Sequence, residues 1–587
     1  MFQIAKPTDN LRLLHWTKEL PKASEADPLG LELRVSARLS NELLYCITSI
    51  TPRARYYAFF PWALQDYNER ERLTKGDRGR VQGVLARERA MVLGAVLHHE
   101  GAACDGGGLG GSDKADELDR SRYYDLIAWR HLKNSQGQFG AAYKGSLINL
   151  GVFKADDEEV SEDVEANTNE LDEKTQSIEI RELSPLGLRL ANAFKKSVQT
   201  TAYVAQAQTL KNKVASDVLT EFGKKAGLCE ITHKNAKDRD VLREVFFAAC
   251  EELDRPSHHR RRMSLLLFLE CAAKAKKAGA SLDERTFSDI CYFDAIVLGD
   301  EERTGQEVML STSLSDIQQR WRVFATQGYL AVALQSLLVA VVRQIRDQPA
   351  GVERTQLVQL LNPPSLTERL KEVSGLELPG DFLQMTPRDT LALCGLDVRD
   401  PGQSALSAEA PFSERQLEEW LIEDEANEAS CAVLAAMLLY QIVLRHKQRC
   451  PVQFNNWYGQ QIHNHYADVA LPGIIRFFED EFGEHWVERT NGEILDRIVW
   501  RFIVRQHQTM SYERGFGGVG PLFHVDGTRV VATEMDYTNP RAKNPRFGPA
   551  LRILADLKLI VEGDEGYELT EEGETWLATE LARTARP

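Results

Sequence analysis

Paired cysteines are missing from this chain. The nine cysteines, Cys46, Cys104, Cys229, Cys250, Cys271, Cys291, Cys394, Cys431 and Cys450, sit singly with no C-x-x-C pair among them. That speaks against a zinc ribbon and a disulfide framework, and for a reducing cytoplasm. Long apolar runs are also absent. The longest, Tyr329–Val342, falls short of the roughly 18 residues a membrane helix needs, so no membrane association is expected. The opening MFQIAKPTDNLRLLHWTKEL has no uninterrupted apolar core, so no secretory signal is expected. Nucleotide-binding loops fail as well. GGGLGGSDK (106–114) lacks the G-K-[ST] ending, and GFGGVG (515–520) follows a helical pattern instead of linking strand to helix. No cofactor is expected.

Positive charge is scarce overall: 71 basic against 87 acidic side chains in 587 residues, a net of −16. Its placement matters more than its size. Asp156–Glu182 carries a net of −10 and Val561–Glu574 a net of −7, so the remaining chain is +1. Nucleic acid, which needs local positive charge, is therefore not excluded.

Both acidic stretches sit in one repeated context. FGAAYKGSLINLGVF (139–153) precedes the first and RELSPLGLRLANAF (181–194) follows it; FGPALRILADLKLI (547–560) and YELTEEGETWLATEL (567–581) flank the second. Each unit reads as an amphipathic helix, a β-hairpin, then L-[ST]-x-x-G opening another helix. Gly151 and Gly563 suit the helix exits, and Ser184 and Thr570 suit the N-caps of the closing helices. This is the order of a winged helix; a generic helix–hairpin–helix would look much the same. The first wing, 154–178, is too polar to pack and is expected to be a flexible insertion.

Elsewhere helical patterns dominate, with punctuation near Pro349–Gly351, Asn362–Pro364 and Asp400–Pro411, and a hairpin at Leu522–Ala532 around Asp526-Gly527. Ser413 suits a further N-cap. The expected fold is mainly α: a multi-domain helical body with two winged-helix (α+β) modules, one after the N-terminal region and one at the C-terminus. The expected segments are 1–122, 123–200, 201–350, 351–450 and 451–587.

ITPRARYYAFFPWAL (50–64) is the densest aromatic-basic cluster. Arg53, Arg55, Tyr56 and Tyr57 suit stacking on bases and contact with phosphate; equally, the aromatics suit a core with the arginines bonded to helix ends or carboxylates. A basic-rich stretch, Arg70–Arg89, follows as either a phosphate-facing surface or a solvated helix face. On the helices before the wings, Lys543, Arg546 and Arg552, with Lys144 in the first copy, are the candidates for DNA contact; acidic wings oppose it. His258-His259-Arg260-Arg261-Arg262 opens a helix, against the dipole, and calls for an anionic partner or a solvated start. Arg501 and His507 fit the R-x₅-H spacing of helical ribonucleases, with Phe502 where that family has a polar residue. His463, His465 and Asp468 are incomplete as a metal set, and no metal site is expected.

R-A-R-Y-Y-A-F-F-P-W, followed by RERAMVLGAVL, GGSDKA, YKGSLINLGVF and LSPLGLRLANAF, resembles poorly characterised bacterial proteins encoded in phage-defence islands. The resemblance covers roughly the first 200 residues and implies DNA-directed defence or mobile-element control within a multi-protein system. It implies no catalytic residues. The functional expectation is a non-enzymatic, DNA-engaging or scaffold component with protein partners, in the cytoplasm. The alternatives are a helical ribonuclease effector using Arg501 and His507, and a structural winged-helix docking subunit similar to the accessory subunits of SMC complexes.

Overall fold

The computed structural model describes residues 27–584 except 101–106, 117–121, 155–181, 249–252, 254, 300–303, 400–407, 423–427, 451–456, 459–467, 514–520, 534–539 and 541–543. The architecture is mainly helical with small antiparallel sheets. The chain divides into two compact units, each assembled from separated stretches of sequence. One comprises Ala37–Arg322 with Asn544–Pro587, the other Met1–Ser36 with Val323–Lys543.

The first of these units is built around the helix Tyr56–Arg70. Every residue from Tyr56 to Leu64 is buried, because an unbroken run of aromatic and apolar side chains leaves no face for water. The next helix, Arg72–His98, crosses the helix Ser216–Ala226 at two glycines. A Cβ on Gly94 would collide with the Leu219 carbonyl, and one on Gly223 with the backbone of Gly94. The two backbones are in direct contact, a closeness only glycine permits.

The sequence repeat is present down to individual hydrogen bonds. Val152 N donates to Leu147 O (3.1 Å) and Leu559 N to Leu554 O (3.0 Å), so both leading helices end identically. Ser184 Oγ donates to Gly151 O (2.7 Å) and accepts from Gly187 N (3.1 Å). Thr570 Oγ1 donates to Lys558 O (2.8 Å) and accepts from Gly573 N (3.0 Å). Gly187 and Gly573 both lie where a Cβ would strike the preceding carbonyl, of Val152 and Leu559. The helix exits are Gly151 (φ 75°), as expected, and Lys558 (φ 60°). Gly563 is instead in the hairpin turn, donating to Gly566 O. The two copies also differ by one residue in register, which the π-helical turn Phe139–Tyr143 absorbs.

The C-terminal copy has a true hairpin, Ile560–Glu562 paired with Tyr567–Leu569; the first has the single bridge Phe153–Leu183 among the described residues. A further bridge joins Leu282 to Tyr567, and Phe287 of the helix Glu284–Phe293 packs on Phe547 at 5.3 Å between ring centroids. The C-terminal copy therefore takes part of its structure from residues near 280, well upstream of the expected boundary at 451.

In the second unit, the apolar stretch expected at Tyr329–Val342 is core within the helix Ser315–Arg346. By length and composition Thr312–Arg346 passes the test for a membrane span, yet its most apolar window is 89% buried. The expected hairpin forms from Phe523–Asp526 and Arg529–Ala532, with Gly527 at φ 62°, and Val352–Glu353 adds a third strand beside Arg529–Ala532. Ser413 caps its helix, accepting from Gln416 N at 3.2 Å.

Candidate nucleic-acid interface

The R-A-R motif turns inward. Arg53 and Arg55 have no exposed surface. Arg53 Nε and Nη2 each meet an Asp556 carboxylate oxygen at 3.0 Å, and Nη1 donates to Gly107 O. Asp556 also accepts from Ala54 N at 2.9 Å. Arg55 Nε donates to Asp238 Oδ2 at 2.9 Å and its Nη1 to Gly227 O; Ser197 Oγ holds the other oxygen of Asp238 at 2.7 Å. Tyr57 donates to Cys46 O, and burial pushes its phenol well above the ordinary range. Tyr56 lies stacked on Phe60 at 5.2 Å. Of the two readings of Arg53, Arg55, Tyr56 and Tyr57, nucleic-acid contact or core, the structure has the second: all four are buried. Their carboxylate partners lie 503 and 183 residues away in sequence, beyond any local pattern.

The leading helices of the two repeat copies offer little more. Arg546 donates through Nη1 to Asn41 Oδ1 (2.7 Å) and Ile47 O (2.6 Å), tying its helix to the turn after Leu43. Arg552 donates to Glu562 Oε2 on the hairpin at 2.6 Å. Lys543 lies outside the described residues. On the first copy Lys144 is half-buried, beside the exposed Ile148. Asp556, on the C-terminal leading helix, is the buried anchor of Arg53. The C-terminal acidic stretch is likewise partly neutralised by its own chain: Glu562 by Arg552, Glu572 by Arg243 at 2.8 Å and Glu574 by Lys276 at 2.9 Å.

Other basic residues are consumed in the same way. Within Arg70–Arg89, the buried Arg87 meets Asp66 at 2.6 Å and Glu71 at 3.0 Å, and Arg89 caps the carbonyls of Leu126 and Ile127. Of the HHRRR cluster, Arg261 is buried and donates to Val245 O and Phe246 O, the last carbonyls of the helix Asp238–Phe246. Arg260 bonds Glu42, and Arg262 pairs with Glu580 at 2.9 Å. The cluster's anionic partner is thus protein.

Arg501 and His507 do not form a site. Arg501 is exposed, over the rings of Phe477 and Phe502. His507 is buried with both ring nitrogens engaged: Nδ1 lies 3.2 Å from Pro28 O, and Nε2 accepts from Leu522 N at 2.9 Å. The same Nε2 also lies 3.4 Å from the Ser511 hydroxyl. His463 and His465 lie outside the described residues.

The stretch 196–237 carries a group of exposed cations. Lys196, Lys211, Lys213, Lys224, Lys225, Lys234 and Lys237 are all exposed. Among the described residues, none of the seven forms a close ion pair, although Lys213 lies opposite Asp125 across the antiparallel strand pair. From 196 to 237 there are three acids, Asp217, Glu221 and Glu230, and Glu230 is buried. The end of the helix Pro185–Val198 gathers several of them. Lys225 Nζ donates to Thr200 Oγ1 (2.7 Å), and Lys237 N to Ser197 Oγ (2.9 Å), the neighbour of Lys196. Helix C-termini attract cations and account for Lys196, Lys224 and Lys225; Lys211, Lys213, Lys234 and Lys237 lie outside any last helical turn. The signal was legible as seven lysines without an arginine, spread too thinly to stand out as a run.

No family model, curated protein or solved structure matches the chain.

Proposed function

We propose that the chain is a non-enzymatic, DNA-engaging scaffold that holds the duplex backbone through the lysines of 196–237. In this reading the two repeat units are winged-helix modules used to build and dock the protein, not to read bases. The C-terminal module would run Pro256–Ala278, Leu282, Glu284–Phe293, Phe547–Asp556, the hairpin and Glu571–Thr584. That is winged-helix order with a long insertion between its second and third helices. The observation that carries the proposal is the set of seven exposed lysines without ion pairs, against arginines spent inside the protein. Lysines are point charges suited to phosphate, whereas base readout needs forked or amide side chains on a helix in the major groove. The resemblance of the first 200 residues to defence-island proteins supports a place in a bacterial defence system, with protein partners alongside the DNA.

A gel-shift assay on a mixed-sequence duplex tests this. The full chain should retain DNA at low salt and release it as salt rises. Replacing Lys196, Lys225 and Lys237 with Glu should abolish retention at moderate salt. Replacing the three with Gln should lower the slope of log affinity against log salt by about 2–3, given about 0.9 per phosphate contact. Arg552→Glu should leave retention intact. Retention lost with Arg552→Glu but kept in the lysine variants would instead make the C-terminal helix the contact. No retention at low salt would leave a purely protein-docking scaffold.

A further inference from the structure

We propose that His98, His99, Cys229 and Glu230 form a binding site for one divalent transition-metal ion of the zinc class. The inference is independent of the nucleic-acid reading. His98 ends the helix Arg72–His98 and His99 caps it; Glu100, at φ 56°, turns the chain away at once. Cys229 and Glu230 lie in the 3₁₀ turn Leu228–Thr232, just past the helix Ser216–Ala226. The Gly94–Gly223 crossing sets these two ends side by side: His98 follows Gly94 by one helical turn, and the Cys229 turn follows Gly223 by a similar length.

The ligand atoms converge. His99 Nε2 lies 3.1 Å from Cys229 Sγ, His98 Nε2 lies 3.5 Å from Glu230 Oε1, and that carboxylate oxygen lies 3.9 Å from Cys229 Sγ. One ligand atom from each of His98, His99 and Glu230 falls within 4.8 Å of the others. Bonds of about 2.0–2.3 Å in a tetrahedron put neighbouring ligand atoms about 3.3–3.8 Å apart; the His98–Glu230 separation of 3.5 Å falls in that range, and Cys229 Sγ lies close to it from His99 and from Glu230. At 3.5 Å, the His98–Glu230 separation is beyond a good N–H···O hydrogen bond, but it suits two ligands of one ion. His233, one turn on and largely exposed, places Nδ1 3.1 Å from Glu230 Oε2. It would orient the carboxylate from outside, as a second layer of partners does around metal ligands.

The donor set selects the ion. Thiolate with imidazole favours zinc or cobalt over magnesium and calcium, which want oxygen alone. Neither half of the set stands out in sequence, because adjacent histidines and a C-E-x-x-H stretch lie 130 residues apart and match no known finger spacing.

The test uses the full chain, stripped with a chelator and titrated with Co²⁺. One equivalent should produce the visible bands of tetrahedral cobalt together with a near-ultraviolet thiolate-to-cobalt band, and Zn²⁺ should then displace both. Cys229→Ser should remove the thiolate band, and His98→Ala with His99→Ala should weaken binding at least about 100-fold. His233→Asn should keep the thiolate band and lower affinity by about 10-fold. Cys229→Ser changes a single atom, so its spectrum is decisive even where the double histidine variant does not fold. A weak octahedral spectrum in the wild type, or a thiolate band that survives Cys229→Ser, would overturn the proposal.

Discussion

Arg53 and Asp556 are both buried, and each is the other's main compensation for lost water. Removing one partner strands a charge in the core. Arg53→Ala should therefore lower the stability of its unit by about 3–5 kcal/mol, whereas replacing the pair together with Met and Leu should cost much less. Calorimetry on the two variants and the parent chain separates these outcomes; equal losses would mean that the pair is not coupled. His258 offers a prediction with pH. Its Nδ1 accepts from Arg261 at 2.9 Å, and burial, reinforced by Arg261 and Arg255, pushes its pKa down to about 3. Unfolded, it takes up a proton near about 6.5. The unfolded chain thus binds the extra proton between those values, so stability is full above about 6.5 and falls as the pH drops towards 3. Between about pH 7 and 5 the loss should be about 2 kcal/mol. His258→Asn keeps an acceptor and removes the titration, so thermal melts across that window should show a shallower decline.

At the scale of elements, the repeat is the part of the fold most legible in sequence. A capping hydroxyl, a close-packed glycine three residues on, and amphipathic spacing are all local, so Ser184, Thr570, Gly187 and Gly573 announce themselves. The one-residue register difference was not legible, because the π turn at Phe139–Tyr143 has no composition of its own. Nor was the helix exit at Lys558, a left-handed residue that is not glycine. The Gly94–Gly223 crossing was equally silent, since a glycine inside a helix signals close approach only once its neighbour is known. Gly223→Ala should force the helices apart and cost about 1–3 kcal/mol by overpacking. It should also weaken cobalt binding, because the same crossing sets His98 against Cys229. Unchanged binding in a destabilised Gly223→Ala protein would separate the crossing from the site.

Over the whole molecule, charge is sorted by partner. The fully buried arginines meet carboxylates or helix-end carbonyls, and the lysines of 196–237 face water. This division follows from the side chains. The forked guanidinium satisfies several acceptors at once and so survives burial, whereas the ammonium keeps its hydration by staying outside. Arg53 and Arg55 stand beside aromatics, a composition that suits nucleic-acid contact and equally a core knotted by ion pairs. Consecutive segments were the natural reading of the punctuation, but Asn544–Pro587 returns to the unit begun at Ala37.

The sequence by itself determined the helical class, the repeated pairing of a leading and a capped closing helix, and the concentration of negative charge into two short stretches. All of these rest on interactions between residues near one another in the chain. Only the tertiary structure decided which cations are internal, that His507 is held by Pro28 and Leu522, and that His98, His99, Cys229 and Glu230 share one corner. Those outcomes depend on partners from 15 to 503 residues distant, and a buried charge or a ligand set is defined by its partners rather than by its neighbours in sequence.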